Sequence, residues 1–134
     1  MKIDELREGM ILDNGELVRT FLCSPQGGMR RSKRTNSLVL ISDQMKLYND
    51  RWQGDILHYT GMGQTGNQDF SYMQNKTLYE SNNNGIQIYL FEVFHPHEYT
   101  YYGCVKLAAI PYTEIQHDAE GKNRQVCMFP LKKA

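Results

Sequence analysis

The sequence has few of the features that mark zinc-binding, secreted or membrane proteins. Its three cysteines, Cys23, Cys104 and Cys127, lie far apart and lack the paired spacing of a zinc site. The residues that follow Met1 are charged rather than apolar, so we expect no secretory segment and a reducing, cytoplasmic location. No apolar run approaches the length that spans a bilayer, and we expect no membrane partner.

The chain also lacks an excess of positive charge. Its 15 Lys and Arg residues balance 15 Asp and Glu residues, so any surface for nucleic acid has to come from local clustering. The densest cluster is the basic run Arg30, Arg31, Ser32, Lys33 and Arg34, which follows two glycines. A flexible cationic loop of this kind binds phosphates by releasing counterions, and the alternative is an ordinary solvated loop.

No spacing in the sequence predicts a catalytic or metal site. The pair His95-Pro96-His97 is typical of a turn with two solvated histidines. The letters Gly61-x-Gly63-x-x-Gly66 match a dinucleotide fingerprint, but no acidic residue at the end of a second strand accompanies them. We therefore expect no enzymatic activity, no metal and no cofactor.

The 134 residues fit one domain, 1–134, that is rich in short strands. Nine tyrosines favour strands and also suit stacking on bases. We predict strands at 16–23, 37–41, 55–60, 86–94 and 99–108, one short helix within 70–81, and a hairpin around 119–122. The predicted fold is α+β and mainly β, a small barrel or strongly bent sheet with a helix packed on it.

Five short motifs follow one another between residues 59 and 103. They are Tyr59-Thr60-Gly61-x-Gly63, Gly66-Asn67-Gln68, Asn75-x-x-Leu78-x-x-Ser81, Gly85-x-x-Ile88 and Tyr99-x-Tyr101-x-Gly103. Upstream, Gly28-Met29-x-x-Ser32 precedes Ser37-Leu38-Val39-Leu40. Together this ordered series, over residues 27–108, resembles the SRA (SET- and RING-associated, or YDG) domain.

The resemblance implies a curved, PUA-like β-barrel with one or two short helices at its side. It also implies recognition of 5-methylcytosine or 5-hydroxymethylcytosine in double-stranded DNA by base flipping. Bacterial members are often fused to an HNH nuclease in modification-dependent restriction enzymes. We therefore expect a bacterial DNA-recognition domain that is not itself an enzyme, with a fused nuclease or a homodimer left open.

The resemblance also assigns roles to individual residues. Asp50, nine positions before Tyr59, matches the aspartate that holds the flipped cytosine, and a carboxylate that accepts from the cytosine amine rejects thymine. Tyr59 matches the aromatic that stacks on the base, which is worth roughly 1–3 kcal/mol. Thr60 matches the residue at the Watson–Crick edge, and Gly61 completes the motif. These four residues are the first members of a set that we call the base pocket.

The sequence departs from the family pattern in several places. The second stacking aromatic falls on Leu47, with Tyr48 beside it, and both are added to the base pocket. Asn67-Gln68 stands where the family has Asp-Gln, and Tyr101-Tyr102-Gly103 stands where it has Tyr-Asp-Gly. The loop 63–68 is far shorter than in the eukaryotic members of the family, where it reaches into the DNA to read the opposite strand. The resemblance therefore implies no preference for hemimethylated sites.

Two other functions remain open from the sequence. PUA-like barrels also bind RNA, so an RNA-binding module is the main alternative. A small-molecule or protein-interaction barrel without a nucleic-acid role is the other. Binding to modified DNA, plain DNA and single-stranded RNA distinguishes these functions.

Overall fold

The computed structural model describes residues 1–45 and 50–134. These residues form nine strands, two α-helices and one 3₁₀ helix, Ile3–Glu5. The elements are β1 (Ile11–Leu12), α1 (Asn14–Phe21), β2 (Met29–Ser32), β3 (Ser37–Asp43), β4 (Arg51–Gln53), β5 (Ile56–Thr60), α2 (Met73–Tyr79), β6 (Gln87–His95), β7 (Glu98–Leu107), β8 (Tyr112–His117) and β9 (Asn123–Lys133). The protein is therefore mainly β, as predicted. Within the described residues, no helix has the length and apolar character needed to cross a membrane.

The chain divides into two compact units. Unit 1 comprises Met1–Tyr48, Ile86–Val105 and Lys133–Ala134. Unit 2 comprises Asn49–Gly85 and Lys106–Lys132. The described part of the base pocket belongs to unit 2, and the basic run belongs to unit 1.

Unit 1 is a mixed sheet with the strand order β2-β3-β6-β7-β1. β3 pairs parallel with β6, from Ser37 opposite Gln87 to Asp43 opposite Val93, and the other pairs are antiparallel. A continuous apolar run is typical of a strand that is buried on both faces, and β3 has one. The core of this unit is formed by Leu6, Leu12, Leu17, Phe21, Val39, Phe91 and Tyr101.

The prediction of a strand at 16–23 is wrong, because this segment lies mostly in α1. Asp13 caps the helix by accepting from the Glu16 amide at 2.8 Å, and the Glu16 carboxylate accepts from the Asp13 amide at 3.1 Å. Leu17 and Phe21 lie one turn apart and are both fully buried. The β-branched and aromatic residues favoured a strand, but the capping box and the helical spacing of the apolar residues decide the structure.

Unit 2 is an antiparallel sheet with the strand order β4-β5-β9-β8. Side chains of β5 alternate between its two faces. Leu57 and Tyr59 are buried on one face, where they lie opposite Leu131 and Phe129 of β9. Thr60 lies on the other face, so neighbouring residues of the Tyr-Thr-Gly motif have different surroundings.

The other predicted elements are confirmed with small changes of length. The strands expected at 37–41, 55–60, 86–94 and 99–108 correspond to β3, β5, β6 and β7, and the hairpin around 119–122 joins β8 to β9. The helix expected within 70–81 is α2, Met73–Tyr79. The glycine-rich segment from Gly61 to Gly66 is irregular, as expected.

Candidate nucleic-acid interface

The structure brings two base-pocket residues into direct contact. The Thr60 backbone amide donates a hydrogen bond to Asp50 Oδ1 at 2.7 Å. Asp50 immediately precedes β4, and Thr60 ends the antiparallel neighbour β5, so strand pairing brings them together. Asp50 is half-buried and Thr60 is buried. A carboxylate acceptor and a backbone donor thus lie side by side at the end of the sheet.

Tyr59 lies in the core of unit 2, and only 3% of its surface is exposed. Strand register places it opposite Phe129 of β9. The ring is therefore covered in the free protein, and its stacking role stays a prediction. Leu47 and Tyr48, the candidates for the second wall of the base pocket, lie outside the described residues.

Gly61 is required at its position because a buried side chain approaches it closely. A Cβ added there would lie 2.6 Å from Asn75 Oδ1. Asn75 is fully buried in α2, and its Oδ1 accepts from the Met62 amide at 2.7 Å. Its Nδ2 donates to the carbonyl oxygens of Met62 and Asp69, each at 3.1 Å. Asn75 therefore fixes the backbone that leaves the base pocket.

Gln68 joins the glycine-rich loop to β9. Its Nε2 donates to the carbonyl oxygens of Gly61 at 2.8 Å and Gly63 at 3.1 Å. Its Oε1 accepts from the Cys127 amide at 2.8 Å. All three polar interactions are with backbone groups, so this side chain substitutes for strand pairing where the chain is irregular.

Arg124, near the start of β9, holds the same loop. Its guanidinium Nη1 donates to the carbonyl oxygens of Gly63 at 2.6 Å and Gly66 at 3.3 Å. The residue is only 4% exposed, and its Nε has no hydrogen-bond partner among the described residues. Arg124 is not predictable from the sequence as a site residue, because no local pattern links a hairpin arginine to a loop about 60 residues earlier.

The basic run is not the flexible loop that the sequence predicted. Arg30 and Ser32 lie in β2 and are 5% and 2% exposed. The Arg30 guanidinium donates to the Gly27 carbonyl at 2.8 Å and to Asn14 Oδ1 at 2.7 Å. Ser32 Oγ donates to the Leu22 carbonyl at 3.1 Å. Both side chains hold unit 1 together.

The rest of the run is more accessible. Arg31 is half-buried, and its Nη1 donates to the carbonyl oxygens of Ser32 and Ser37. Lys33 and Arg34 lie exposed in the turn between β2 and β3. These two cations are the members of the run that the fold presents to solvent.

The described residues contain no group of three His, Cys, Asp or Glu side chains that could hold a metal ion. His95 and His97 are exposed at the turn between β6 and β7, which confirms the predicted turn. Asp118 accepts from the backbone amides of Glu120 and Lys122 at the tip of the β8–β9 hairpin. These hydrogen bonds hold the pKa of its carboxyl below the ordinary value.

Several solved structures share this fold. The sulfur-binding and SRA domains of ScoMcrA complexed with phosphorothioated DNA match with a TM-score of 0.78 and 14% identity, over 96% of this chain and 40% of that one. The modification-dependent restriction endonuclease TagI matches with a TM-score of 0.72 and 21% identity, over 98% and 51%. The SRA domain of SUVH5 complexed with hemimethylated CG DNA matches with a TM-score of 0.72 and 21% identity, over 97% and 90%. No curated protein matches the sequence significantly.

These likenesses show an SRA fold and confirm the fold class predicted from the sequence. The chain spans less than half of the ScoMcrA structure and about half of TagI. The ScoMcrA-like SRA domain family matches residues 10–134, which extends beyond the segment 27–108 that carried the resemblance. The chain therefore belongs to the ScoMcrA-like SRA domain family.

Proposed function

We propose that this domain binds double-stranded DNA carrying a modified cytosine and holds the flipped base against Asp50 and Thr60. The observation that carries the proposal is the 2.7 Å contact between the Asp50 carboxylate and the Thr60 amide. Cytosine presents an amine donor beside a ring-nitrogen acceptor, and an acceptor beside a donor is the complementary pattern. Thymine presents a carbonyl beside a ring N–H, the reverse order, and does not match.

The same contact lowers the cost of leaving the pocket empty. In the free protein Asp50 and Thr60 satisfy each other, so neither polar group is left without a partner. A bound cytosine exchanges this one hydrogen bond for two hydrogen bonds to the base. Flipping costs a few kcal/mol of lost stacking and pairing, which the new hydrogen bonds have to offset.

Tyr59 is the proposed stacking partner in this account, with Tyr48 or Leu47 on the second side. Base–aromatic stacking supplies about 1–3 kcal/mol per base. Because the Tyr59 ring is covered in the free protein, a base that stacks on it has to displace the atoms that cover it. Gly61 supports the proposal, since its close approach to Asn75 fixes the chain directly after Thr60.

Lys33 and Arg34 are the proposed phosphate-binding residues. Both are exposed in one turn, where a phosphate can reach them without unfolding β2. Interactions of this kind position a protein on DNA and raise its affinity, but they carry no sequence information. We therefore assign affinity to this turn and selectivity to the base pocket.

The domain is proposed to be the recognition part of a larger modification-dependent restriction endonuclease, with an HNH nuclease as the parent's catalytic part. ScoMcrA is described as a phosphorothioation-dependent endonuclease, and the chain covers 28% of that structure. TagI, of which the chain covers 51%, is described as modification-dependent. In this proposal the domain selects the DNA, and another part of the protein cuts it.

A phosphorothioated DNA backbone is a second candidate ligand. The SRA domain of ScoMcrA is described in a complex with phosphorothioated DNA, and this chain belongs to the ScoMcrA-like family. The complex also contains a separate sulfur-binding domain. A phosphorothioated duplex without modified cytosine therefore belongs in any binding comparison.

The test is a titration of the 134-residue chain with matched nucleic acids. The set comprises duplexes with 5-methylcytosine, 5-hydroxymethylcytosine or a phosphorothioate linkage, the plain duplex and single-stranded RNA. We expect the tightest binding to a cytosine-modified duplex, with a rise in fluorescence from 2-aminopurine placed beside the target base. Equal affinity for plain and modified duplexes, or a preference for RNA, would overturn the proposal.

A further inference from the structure

We infer that Glu114 and Gln116 of β8 are positioning residues that set the geometry of the Asp50–Thr60 pair. The inference rests on the proposed function of that pair. Neither residue belongs to the motifs that resemble the SRA family. Both lie two strands away from Thr60 in the sheet of unit 2, with β9 between.

Gln116 reaches Thr60 directly. Only 5% of the residue is exposed, and its Nε2 lies 3.4 Å from Thr60 Oγ1. The same nitrogen donates to Glu114 Oε2 at 2.7 Å and lies 3.5 Å from Met128 Sδ. A buried amide with these partners has one orientation in which its donors are satisfied. Gln116 therefore links the threonine hydroxyl to the Glu114 carboxylate.

Glu114 continues this link to the residue next to Asp50. Its Oε1 accepts from Arg51 Nη2 at 2.6 Å, and its Oε2 accepts from Arg51 Nη1 at 2.9 Å. Two parallel hydrogen bonds fix the guanidinium in direction as well as in distance. The Arg51 hydrogen bonds, together with that from Gln116, hold the pKa of the Glu114 carboxyl below its ordinary range. The carboxylate thus stays charged and keeps both partners near neutral pH.

The five side-chain and backbone links close into a ring. Thr60 binds Asp50, the chain joins Asp50 to Arg51, Arg51 binds Glu114, Glu114 binds Gln116, and Gln116 returns to Thr60. The Arg51–Glu114 link joins residues 63 apart in the sequence, and the Gln116–Thr60 link joins residues 56 apart. A closed network restrains each member more than separate contacts would, because moving one breaks others.

Stability alone is a poor explanation for this ring. The Arg51 side chain is 49% exposed, and ion pairs at exposed sites contribute only about 0–1 kcal/mol. Orientation of the Asp50 carboxylate and the Thr60 amide is a better explanation, since a recognition site has to hold its groups within about 0.5 Å of the productive geometry. Through Arg51, Glu114 and Gln116, which lie outside the base pocket, the ring restrains both the donor and the acceptor of the proposed base contact.

The test compares Glu114→Gln and Gln116→Leu with a matched control, Thr113→Val. Glu114→Gln weakens the bidentate interaction with Arg51. Gln116→Leu keeps the volume of the side chain but removes its amide group. Thr113 is an exposed position of the same strand with its side chain on the opposite face, so its replacement changes β8 without touching the ring. If Gln116→Leu fails to fold, Glu114→Gln still decides the question, because the Glu114 side chain is partly exposed (20%) and its replacement disturbs the core less.

Two measurements are made on each variant. The first is hydrogen exchange of the Thr60 amide in the protein without DNA, with the Leu57 amide as an internal reference for general opening. The second is the ratio of Kd values for plain and cytosine-modified duplexes. We expect Thr60 exchange to accelerate about tenfold and the Kd ratio to fall about tenfold in both variants, which is the loss of one hydrogen bond of about 1.4 kcal/mol. Leu57 exchange should rise less than Thr60 exchange in both variants, since it reports only the loss of global stability, and Thr113→Val should match the parent at both amides.

Unchanged exchange at Thr60 in the Glu114 and Gln116 variants would overturn the inference, whatever DNA the protein binds. Faster exchange with an unchanged Kd ratio would overturn it as well, because the ring would then not act on base selection. A parent protein that does not distinguish the two duplexes contradicts the proposed function instead. In that case the Thr60 exchange rates alone decide whether β8 sets the geometry of the pair.

Discussion

Asn75 Oδ1 occupies the space that a methyl group on Gly61 would need, since an added Cβ would lie only 2.6 Å from that oxygen. Asn75 cannot retreat easily, because it is fully buried and bonded to backbone atoms of Met62 and Asp69. The loop that follows the base pocket therefore depends on one glycine facing one asparagine.

Gly61→Ala should destabilise the protein by about 1–3 kcal/mol, the usual cost of overpacking a tight site. Gly15→Ala is the matched control, since its added Cβ would meet mainly the flexible side chain of Arg19. That control lies in α1, where alanine is favoured over glycine by up to about 1 kcal/mol. Urea denaturation measures the free energy of unfolding of both variants and of the parent. Equal stability of Gly61→Ala and the parent would show that the loop can shift to accept a side chain.

The sequence predicts the local elements better than the contacts between them. Strand patterns identify β3, β5, β6 and β7, because each has its own apolar residues and turn signals. The strand predicted at 16–23 is wrong, although the Asp13–Glu16 capping box is present in the sequence. The Arg51–Glu114 pair and the hydrogen bonds of Arg124 are not predictable, since nothing local joins residues about 60 positions apart.

The basic run shows the same limit for the candidate site. Composition marks Arg30 and Lys33 as equivalent cations, yet the fold buries the first and exposes the second. Burial depends on the pairing of β2 with β3, which the prediction of a flexible loop excluded. By contrast, the resemblance did place Asp50 and Thr60 at one site, and the structure brings them into contact.

The next prediction separates affinity from folding within the basic run. Lys33→Ala combined with Arg34→Ala should weaken binding to plain and modified duplexes alike and leave stability unchanged. The slope of log Kd against log salt should flatten by about 0.9 for each phosphate interaction that the substitutions remove. Arg30→Ala should instead lower stability, because it leaves Asn14 and the Gly27 carbonyl without their donor. Salt titrations and denaturation curves test this, and an unchanged salt slope in the double variant would remove the turn from the DNA surface.

Cys127 should be chemically inert in the folded protein. It is fully buried in β9, and desolvation raises the pKa of its thiol to about 11. At a pH of about 8 almost no thiolate is present, and the thiolate is the reactive form. Alkylation by iodoacetamide, followed by mass spectrometry, should modify the half-buried Cys104 before Cys127. Modification of Cys127 at the same rate in folded and urea-unfolded protein would contradict its burial.

The Arg51–Glu114 pair should make a pH-dependent contribution to stability. The pKa of Glu114 is lowered in the folded protein, chiefly by hydrogen bonds from Arg51. A lowered pKa stabilises the fold above the unfolded value of about 4.3, and this contribution is lost as the pH falls through the folded pKa. The stability difference between the parent and Glu114→Gln should thus be present near neutral pH, at about 1 kcal/mol or less, and shrink in acid. A difference that grows in acid would contradict this assignment.

The effect of Asp50→Ala on the choice between modified and plain duplexes tests most directly whether this domain recognises a flipped cytosine. In the proposed complex, removal of the carboxylate leaves the cytosine amine without its acceptor, at a cost of about 1–3 kcal/mol. Titrations of both duplexes, with 2-aminopurine beside the target cytosine, should show at least about tenfold weaker binding to the modified duplex and a reduced flipping signal. Binding to the plain duplex should change little. Equal losses on both duplexes with the flipping signal intact would show that Asp50 does not hold the base.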